Sequence, residues 1–469
     1  MKTAMDRSVF AIGAVVGAFV CGGAMAQETV TEDALVQSPA LQDDDDFGHG
    51  LAVNDDYLVI GAPDEDPSGV WGGVVRVYDR DSGALLHTIN SPATNGFSEF
   101  GRTVALSDDG MIAVLMFSFE YEAGMRRRVR MYDASTGAFV REIVKPEPLY
   151  NDTFGDSIAI NGDYVVVGDY GRDGVEQNEG EVFVYERSTG NLLHRWSSDA
   201  PVRYTSFGHA IALEGSTVLV YSNDEVEHEP GVIAANVVWV YDAVSGARTG
   251  AFYPSDDGMG EEPRFSPSIA VQNGLVVIGS GTDDEVGQYL GAVYVFHLST
   301  GSMMRKILPP VLDGSRLFLG GQVALDGNVL VASATGIDTP SYESGGAFVF
   351  DVWSGGLIAR MESSVGALPP ENLFPQNIGF RVAVNGDRVW ASTAQRQVRP
   401  DSKQDNGLGP NAVYVFSIPQ CEADVNGDGA LDYFDLSYLL QVEPDLNGDT
   451  VFDFFDVSAF LNAFNAGCP

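Results

Sequence analysis

One short motif returns seven times and dictates most of what this chain can become. It reads "FGHGLAV" at Phe47, "FGRTVAL" at Phe100, "FGDSIAI" at Phe154, "FGHAIAL" at Phe207, "FSPSIAV" at Phe265, "LGGQVAL" at Leu319 and "IGFRVAV" at Ile378. The intervals are 53, 54, 53, 58, 54 and 59 residues. A near-constant period of this length marks a repeat architecture, in which each unit buries its apolar faces against its neighbours. Behind the motif comes a β-rich run such as "DYLVIGAP" or "DYVVVGDY", a variable connection, and an aromatic run such as "GGVVRVYD", "GEVFVYE" or "GAVYVFH". Then follows "DRDSG", "DASTG", "ERSTG", "DAVSG", "HLSTG" or "DVWSG", whose glycine suits the left-handed position of a tight turn. A last strand such as "ALLHTI" or "NLLHRW" ends the unit. Four short strands per unit, seven times over, predict an all-β seven-bladed β-propeller.

The two ends of the array complete each other. The seventh unit runs "IGFRVAV", "DRVWAST", "NAVYVFSIP" and stops at Pro419 without a fourth strand. The segment "EDALVQS" (residues 32–38) stands ahead of the first motif and takes the place of that missing strand. Blade seven is therefore expected to be closed by the N-terminal strand, which removes the open sheet edges that invite aggregation.

Upstream lies a targeting segment. Lys2 and Arg7 make a positive start, residues 8–20 are apolar but short for a bilayer span, and Ala24-Met25-Ala26 supplies the small-x-small pattern ahead of Gln27. Residues 1–26 read as a cleaved signal peptide that takes Cys21 with it, so the protein is expected to be secreted, periplasmic or at the cell surface. Its loss removes Lys2, Arg7 and Asp6 and moves the formal charge from −40 to −41. A chain this acidic repels nucleic acid and anionic membranes. Beyond the leader, no run reaches the eighteen apolar residues of a spanning helix.

The "FG…GAP" spacing, fullest in "FGHGLAVNDDYLVIGAP" (residues 47–63), resembles the FG-GAP repeat of integrin-α-like propellers and their bacterial relatives. The resemblance spans residues 33–418 and weakens where Ser266, Leu319 and Ile378 depart from Phe-Gly. It implies a binding or adhesion role, and in some blades a calcium loop between the second and third strands. Here "DEDPSG" (residues 64–69) is the nearest approach, with Asp64 and Asp66 as weak metal candidates that lack a third alternating oxygen ligand.

Catalytic motifs are scarce. No Gly-x-Ser-x-Gly elbow, His-Glu-x-x-His pair or phosphate loop occurs. The histidines read as repeat features: His49 and His209 follow Phe-Gly, while His87 and His194 share the "LLH" position of the last strand. At the His49 register the other blades carry Arg102, Asp156, Pro267, Gly321 and Phe380, a mixed ring ill-suited to a metal. The "YDASTG" type of turn is also similar to that of quinoprotein dehydrogenase propellers, but the tryptophan that should follow is kept only at Trp196. In "MRRRVR" (residues 125–130), strand alternation puts Arg126, Arg128 and Arg130 on one face, to bind an anionic partner or to offset acidic neighbouring blades.

After Pro419 the composition shifts to short, acidic and aromatic, and two twelve-residue loops appear. The first offers Asp424, Asn426, Asp428, Asp432 and Asp435, with the backbone carbonyl of Ala430; the second offers Asp445, Asn447, Asp449, Asp453 and Asp456, with that of Val451. Alternate oxygens in a tight loop are what a hard cation with six to eight ligands requires, so calcium is the expected cofactor. Leu436, Leu439 and Leu440, then Val457, Phe460, Leu461 and Phe464, continue with helical period. Residues 419–469 therefore read as a small α-helical EF-hand-like domain behind the propeller of residues 27–418.

Two loops that end in Asp, with a terminal "GCP", resemble a dockerin, especially the Gly-Cys-ending tails of bacterial exported proteins. That resemblance implies a cohesin-like or cell-surface protein partner, with Tyr433, Phe434, Phe454 and Phe455 at the contact positions or packed in the module's core. Thr450 departs from the glycine expected at position six of the second loop. Cys421 and Cys468 bracket the module, and an even pair in an exported protein suggests a disulfide. The leading expectation is a non-catalytic exported binding protein, its propeller holding a glycan or protein ligand. A polysaccharide-acting hydrolase or lyase delivered by the same tail is the alternative, and a structural surface component a third.

Overall fold

A computed structural model describes residues 29–39, 45–67, 72–93, 98–120, 124–147, 152–173, 178–198, 204–229, 232–254, 265–310, 316–337, 345–362, 378–393 and 412–418. The expected signal peptide and the expected C-terminal module, with both candidate calcium loops, Tyr433, Phe434, Phe454, Phe455, Cys421 and Cys468, lie outside them.

Seven antiparallel sheets form, one per repeat. Blade one is Gly50–Val53, Tyr57–Ala62, Val74–Asp79 and Leu85–Asn90, and the same order recurs to blade seven. The first strands neighbour one another around the ring, and that of blade seven (Ile378–Asn385) returns to that of blade one. They therefore line a central channel and are only partly buried, whereas the second and third strands, covered on both faces by adjacent blades, are buried almost throughout. This sandwiching explains runs such as Val165-Val166-Val167 and Val293-Tyr294-Val295, which do not alternate because both of their faces are core.

The Phe-Gly motif locks neighbouring blades together. Phe47, Phe100, Phe154, Phe207 and Phe265 are buried between blades, and Leu319 and Ile378 fill the same place in the last two. The following residue donates its amide to the second strand: Gly48 to Gly61, Gly155 to Gly168, Gly208 to Tyr221, Ser266 to Gly279 and Gly320 to Ser333, at 2.7–3.0 Å. Gly101 shows why this position favours glycine: its φ is +93°, and a Cβ there would lie 2.9 Å from the carbonyl oxygen of Val74.

The ring closes as the sequence predicts. Ala34–Gln37 pairs antiparallel with Ala412–Ser417 as the fourth strand of blade seven, from Ala34 opposite Val415 to Gln37 opposite Ala412. Asp33 clamps the junction: its amide donates to Val415 O at 2.8 Å, and its carboxylate accepts from the Ser417 amide at 2.5 Å. A second pairing was not expected: Thr29–Thr31 adds in parallel to Leu357–Glu362, giving blade six a fifth strand. Blades seven and one are also joined by Asn385 Nδ2 to Asp55 (2.9 Å), Arg80 to Asn385 O (2.7 Å) and Arg388 to Arg80 O (3.1 Å).

The two ends of the channel differ. One carries the first-to-second and third-to-fourth turns, which are uniform. In the latter an aspartate accepts amide bonds within the turn, as Asp79 does from Ser82 and Asp133 from Thr136, and the glycine is left-handed at Gly83, Gly137, Gly190, Gly246, Gly301 and Gly355. The other end carries the second-to-third connections and the links between blades. There, residues 224–229 and 232–235 are strand. They belong to a hairpin of Thr217–Glu229 and Val232–Asp242, much longer than the six-residue strands of blade one, and Met111–Glu120 with Gly124–Asp133 makes another in blade two. Among the described residues no helix is long and apolar enough to cross a membrane.

Candidate functional site at the channel mouth

The residue after Phe-Gly enters the first strand where the channel opens beneath the long connections. His49, Arg102, Asp156 and His209, from blades one to four, converge there with Phe380 and Arg381 of blade seven. Neighbours are stitched together: His49 Nδ1 meets Arg102 O at 2.9 Å, Arg381 Nε donates to His49 O at 3.2 Å, and Thr103 Oγ1 donates to Asp156 O at 3.3 Å. Phe380 lies edge-on to His49 at 5.3 Å, while Tyr170 lies against His209 at 4.3 Å.

Charge is unevenly matched in this ring. Arg102 bonds Glu99 at 3.0 Å, and Arg127 pairs with Asp156 while stacking on Phe117. Arg381 stacks on Phe380 and donates to a backbone carbonyl, but no carboxylate pairs with it among the described residues. Burial and the nearby Arg102 both press its pKa down, although a guanidinium stays charged at any ordinary pH. Burial, reinforced by Arg381, lowers His49 to about 4, so it is neutral at pH 7. Desolvation also lowers His209, with Asp156 opposing and Arg381 adding to the effect, although the residue is exposed. Burial and Asp156 raise Tyr170.

The sequence-predicted candidates are thus divided. His49 and His209 belong to this cluster. His87 and His194 are interblade ties, as their shared register suggests, meeting Ser135 O and Ala243 O at 2.8 and 2.9 Å. Trp196 stacks on Tyr241 at 4.5 Å and donates to Gly246 O of the next blade's turn. Arg128 and Arg130 do share a face, both bonding Glu142, and Arg127 on the other face reaches Asp156 of the next blade. The arginine cluster therefore offsets acidic neighbours.

Asp64 and Asp66 flank Glu65, whose carboxylate is bound to Arg76 at 2.6 Å, both side chains buried. Their loop is described only as far as Pro67. Among the described residues no group of three or more His, Cys, Asp or Glu side chains is placed to hold a metal. Other buried acids also have basic partners: Asp152 and Asp169 share Lys145, and Asp283 pairs with Lys306 while accepting from the Tyr294 hydroxyl.

Arg381 is the functional candidate that the sequence reading passes over. A signal was present: at its register the other blades carry Gly50, Thr103, Ser157, Ala210, Ser268 and Gln322, so it is the one charged residue of seven.

Comparison with known proteins supports the repeat and the fold. A family model described as "FG-GAP repeat" matches residues 140–185, from the fourth strand of blade two through the third strand of blade three. The WD40 repeats of RRP9, known from a crystal structure, are similar in fold at a TM-score of 0.52 and 13% identity, over 84% of this chain and 100% of that one. No curated protein sequence matches the chain. The molecule thus contains an FG-GAP repeat within a seven-bladed propeller, an architecture often used for binding.

Proposed function

We propose that this is an exported, non-catalytic binding protein. Its propeller engages a glycan or protein ligand at the connection face, and its tail attaches it, through calcium, to a cohesin-like or cell-surface partner. The observation that carries the reading is the asymmetry of the propeller. One face repeats the same tight turns; the other gathers variable connections, two projecting hairpins and a polar channel mouth. Binding residues concentrate on variable connections held by a rigid scaffold. The paired loops of residues 424–435 and 445–456 support the calcium-dependent tail by their ligand spacing.

A calorimetric calcium titration of the full chain tests the tail. Two sites are expected, with Asp424→Ala and Asp445→Ala each abolishing one. No calcium heat removes the tail's assigned role, and sites that survive both substitutions move calcium to propeller connections such as residues 64–69. Incubation with glycans tests the other half: retention without cleavage is expected, and released products would replace the binding reading with a hydrolase or lyase.

A further inference from the structure

We propose that the channel mouth is an oxyanion-binding site, in which Arg381 and Arg102 receive a carboxylate or phosphate group between His49 and His209. The inference rests on the reading of the propeller as a ligand-binding unit and gives its ligand a chemical class.

The first argument is charge. The chain carries a formal −40, and its buried acids are met by cations such as Lys145, Arg76 and Lys306. The channel mouth reverses this balance among the described residues: Arg102, Arg127 and Arg381 face Glu99 and Asp156, three cations against two anions, and both histidines are pressed toward the neutral form. The surplus resides on Arg381, a partly buried residue with no acidic partner among the described residues. A partly buried guanidinium without a counter-charge is where an incoming anion gains most.

The second argument is geometry. Backbone carbonyls hold these groups in place. Arg381 Nε is fixed on His49 O, leaving its two terminal nitrogens as a planar fork of the shape that a carboxylate or phosphate accepts. Arg102 is anchored through its own carbonyl to His49 and has a side chain 44% exposed, so it can turn from Glu99 toward a ligand. Phe380 lies under the Arg381 guanidinium at 5.0 Å, and Tyr170 lies against His209. A neutral imidazole can donate one N–H to an oxyanion without adding charge. His209, an exposed residue of the same ring whose charge couples to that of Arg381, can do so.

The test is calorimetric titration of the full chain at pH 7 and low ionic strength, with sodium phosphate and separately with sodium acetate. Saturable binding of either supports the site; phosphate alone indicates a phosphoryl ligand and acetate alone a carboxylate. Arg381→Gln should weaken binding at least tenfold and Arg381→Lys less. Arg141→Gln, a surface change at a residue bonded to Ser188 O, should leave it unchanged. If Arg381→Gln does not fold, Arg102→Gln serves as the second variant, with an expected loss of at least threefold. Binding unchanged in the folded arginine variants, or no saturable heat with either anion, overturns the proposal. Either result leaves the calcium titration standing as a separate test of the tail.

Discussion

Replacing Phe100 by alanine tests the principle on which the whole ring depends, that one large apolar side chain per blade, aromatic in five of the seven, seals the joint to its neighbour. Phe100 is completely buried among Val75 and Val77 of blade one and Val114 and Tyr132 of blade two, with its ring edge-on to Tyr132 at 5.9 Å. A Phe→Ala change at such a site costs about 3–5 kcal/mol, because the lost transfer energy is joined by the cavity left behind. Unfolding entropy scales at ~2.1 cal/mol/K per residue. For a ring of roughly 390 residues melting as one unit, 4 kcal/mol then corresponds to about 5 °C, and to more if two blades melt alone. Leu319 occupies the equivalent place naturally, so Phe100→Leu should cost only about 1.5 kcal/mol. The control is Phe139→Ala: that ring is half-exposed and lies beneath Arg130 at 4.0 Å, which predicts a loss of about 1 kcal/mol. Urea unfolding followed by tryptophan fluorescence ranks the three. Equal losses for Phe100→Ala and Phe139→Ala would refute the assignment of Phe-Gly as the interblade seal.

Two further outcomes are expected. Deleting residues 27–38 should lower the melting temperature by several degrees and promote self-association through the bared edge of Ala412–Ser417, read by scanning calorimetry and gel filtration; an unchanged melt with a monomeric elution would contradict the closure. His49 is neutral in the fold with a pKa of about 4, against 6.5 unfolded, so the unfolded state binds more protons between those values. Its contribution is present in full above pH 6.5 and lost as pH falls toward 4, a change of up to about 3 kcal/mol. His49→Gln should flatten the stability profile over that window, and an identical profile in both proteins would overturn the assignment.

Much of the fold is legible in the sequence because the repeat states each structural demand seven times. The spacing of Phe47, Phe100 and Phe154, the turn glycines and the strandless end of the seventh unit together specify blade number, strand order and closure. Thr29–Thr31 could not be read in the same way, since three residues give no period and a parallel partner needs no nearby turn. The long strands Thr217–Glu229 and Val232–Asp242 are hidden in the sequence by charges, Asp224, Glu225, Glu227, His228 and Glu229, which look like a solvated loop although Val226 and Val232-Ile233 carry strand preference. The channel cluster illustrates the deeper limit. Within one unit, His49 and Arg102 each look like decoration after Phe-Gly, and only ring closure brings Arg381 beside His49 across 332 residues of chain. Period reveals what units share, whereas a site built at the axis depends on how they differ.

The clamp between Asp33 and Ser417 joins positions 384 residues apart. Bringing such distant points together from an unfolded chain costs about 5 kcal/mol of loop entropy. Once the preceding sheets have packed and curved, the two ends already lie side by side and most of that penalty has vanished. The order of assembly follows: the earliest piece of the ring to be synthesised is the last to be docked, and until then it must remain unpaired. The same latch is the natural place for the finished ring to open first, since releasing it exposes one sheet edge and, of the seven interblade seals, touches only that of Phe47, against whose cluster Val36 packs.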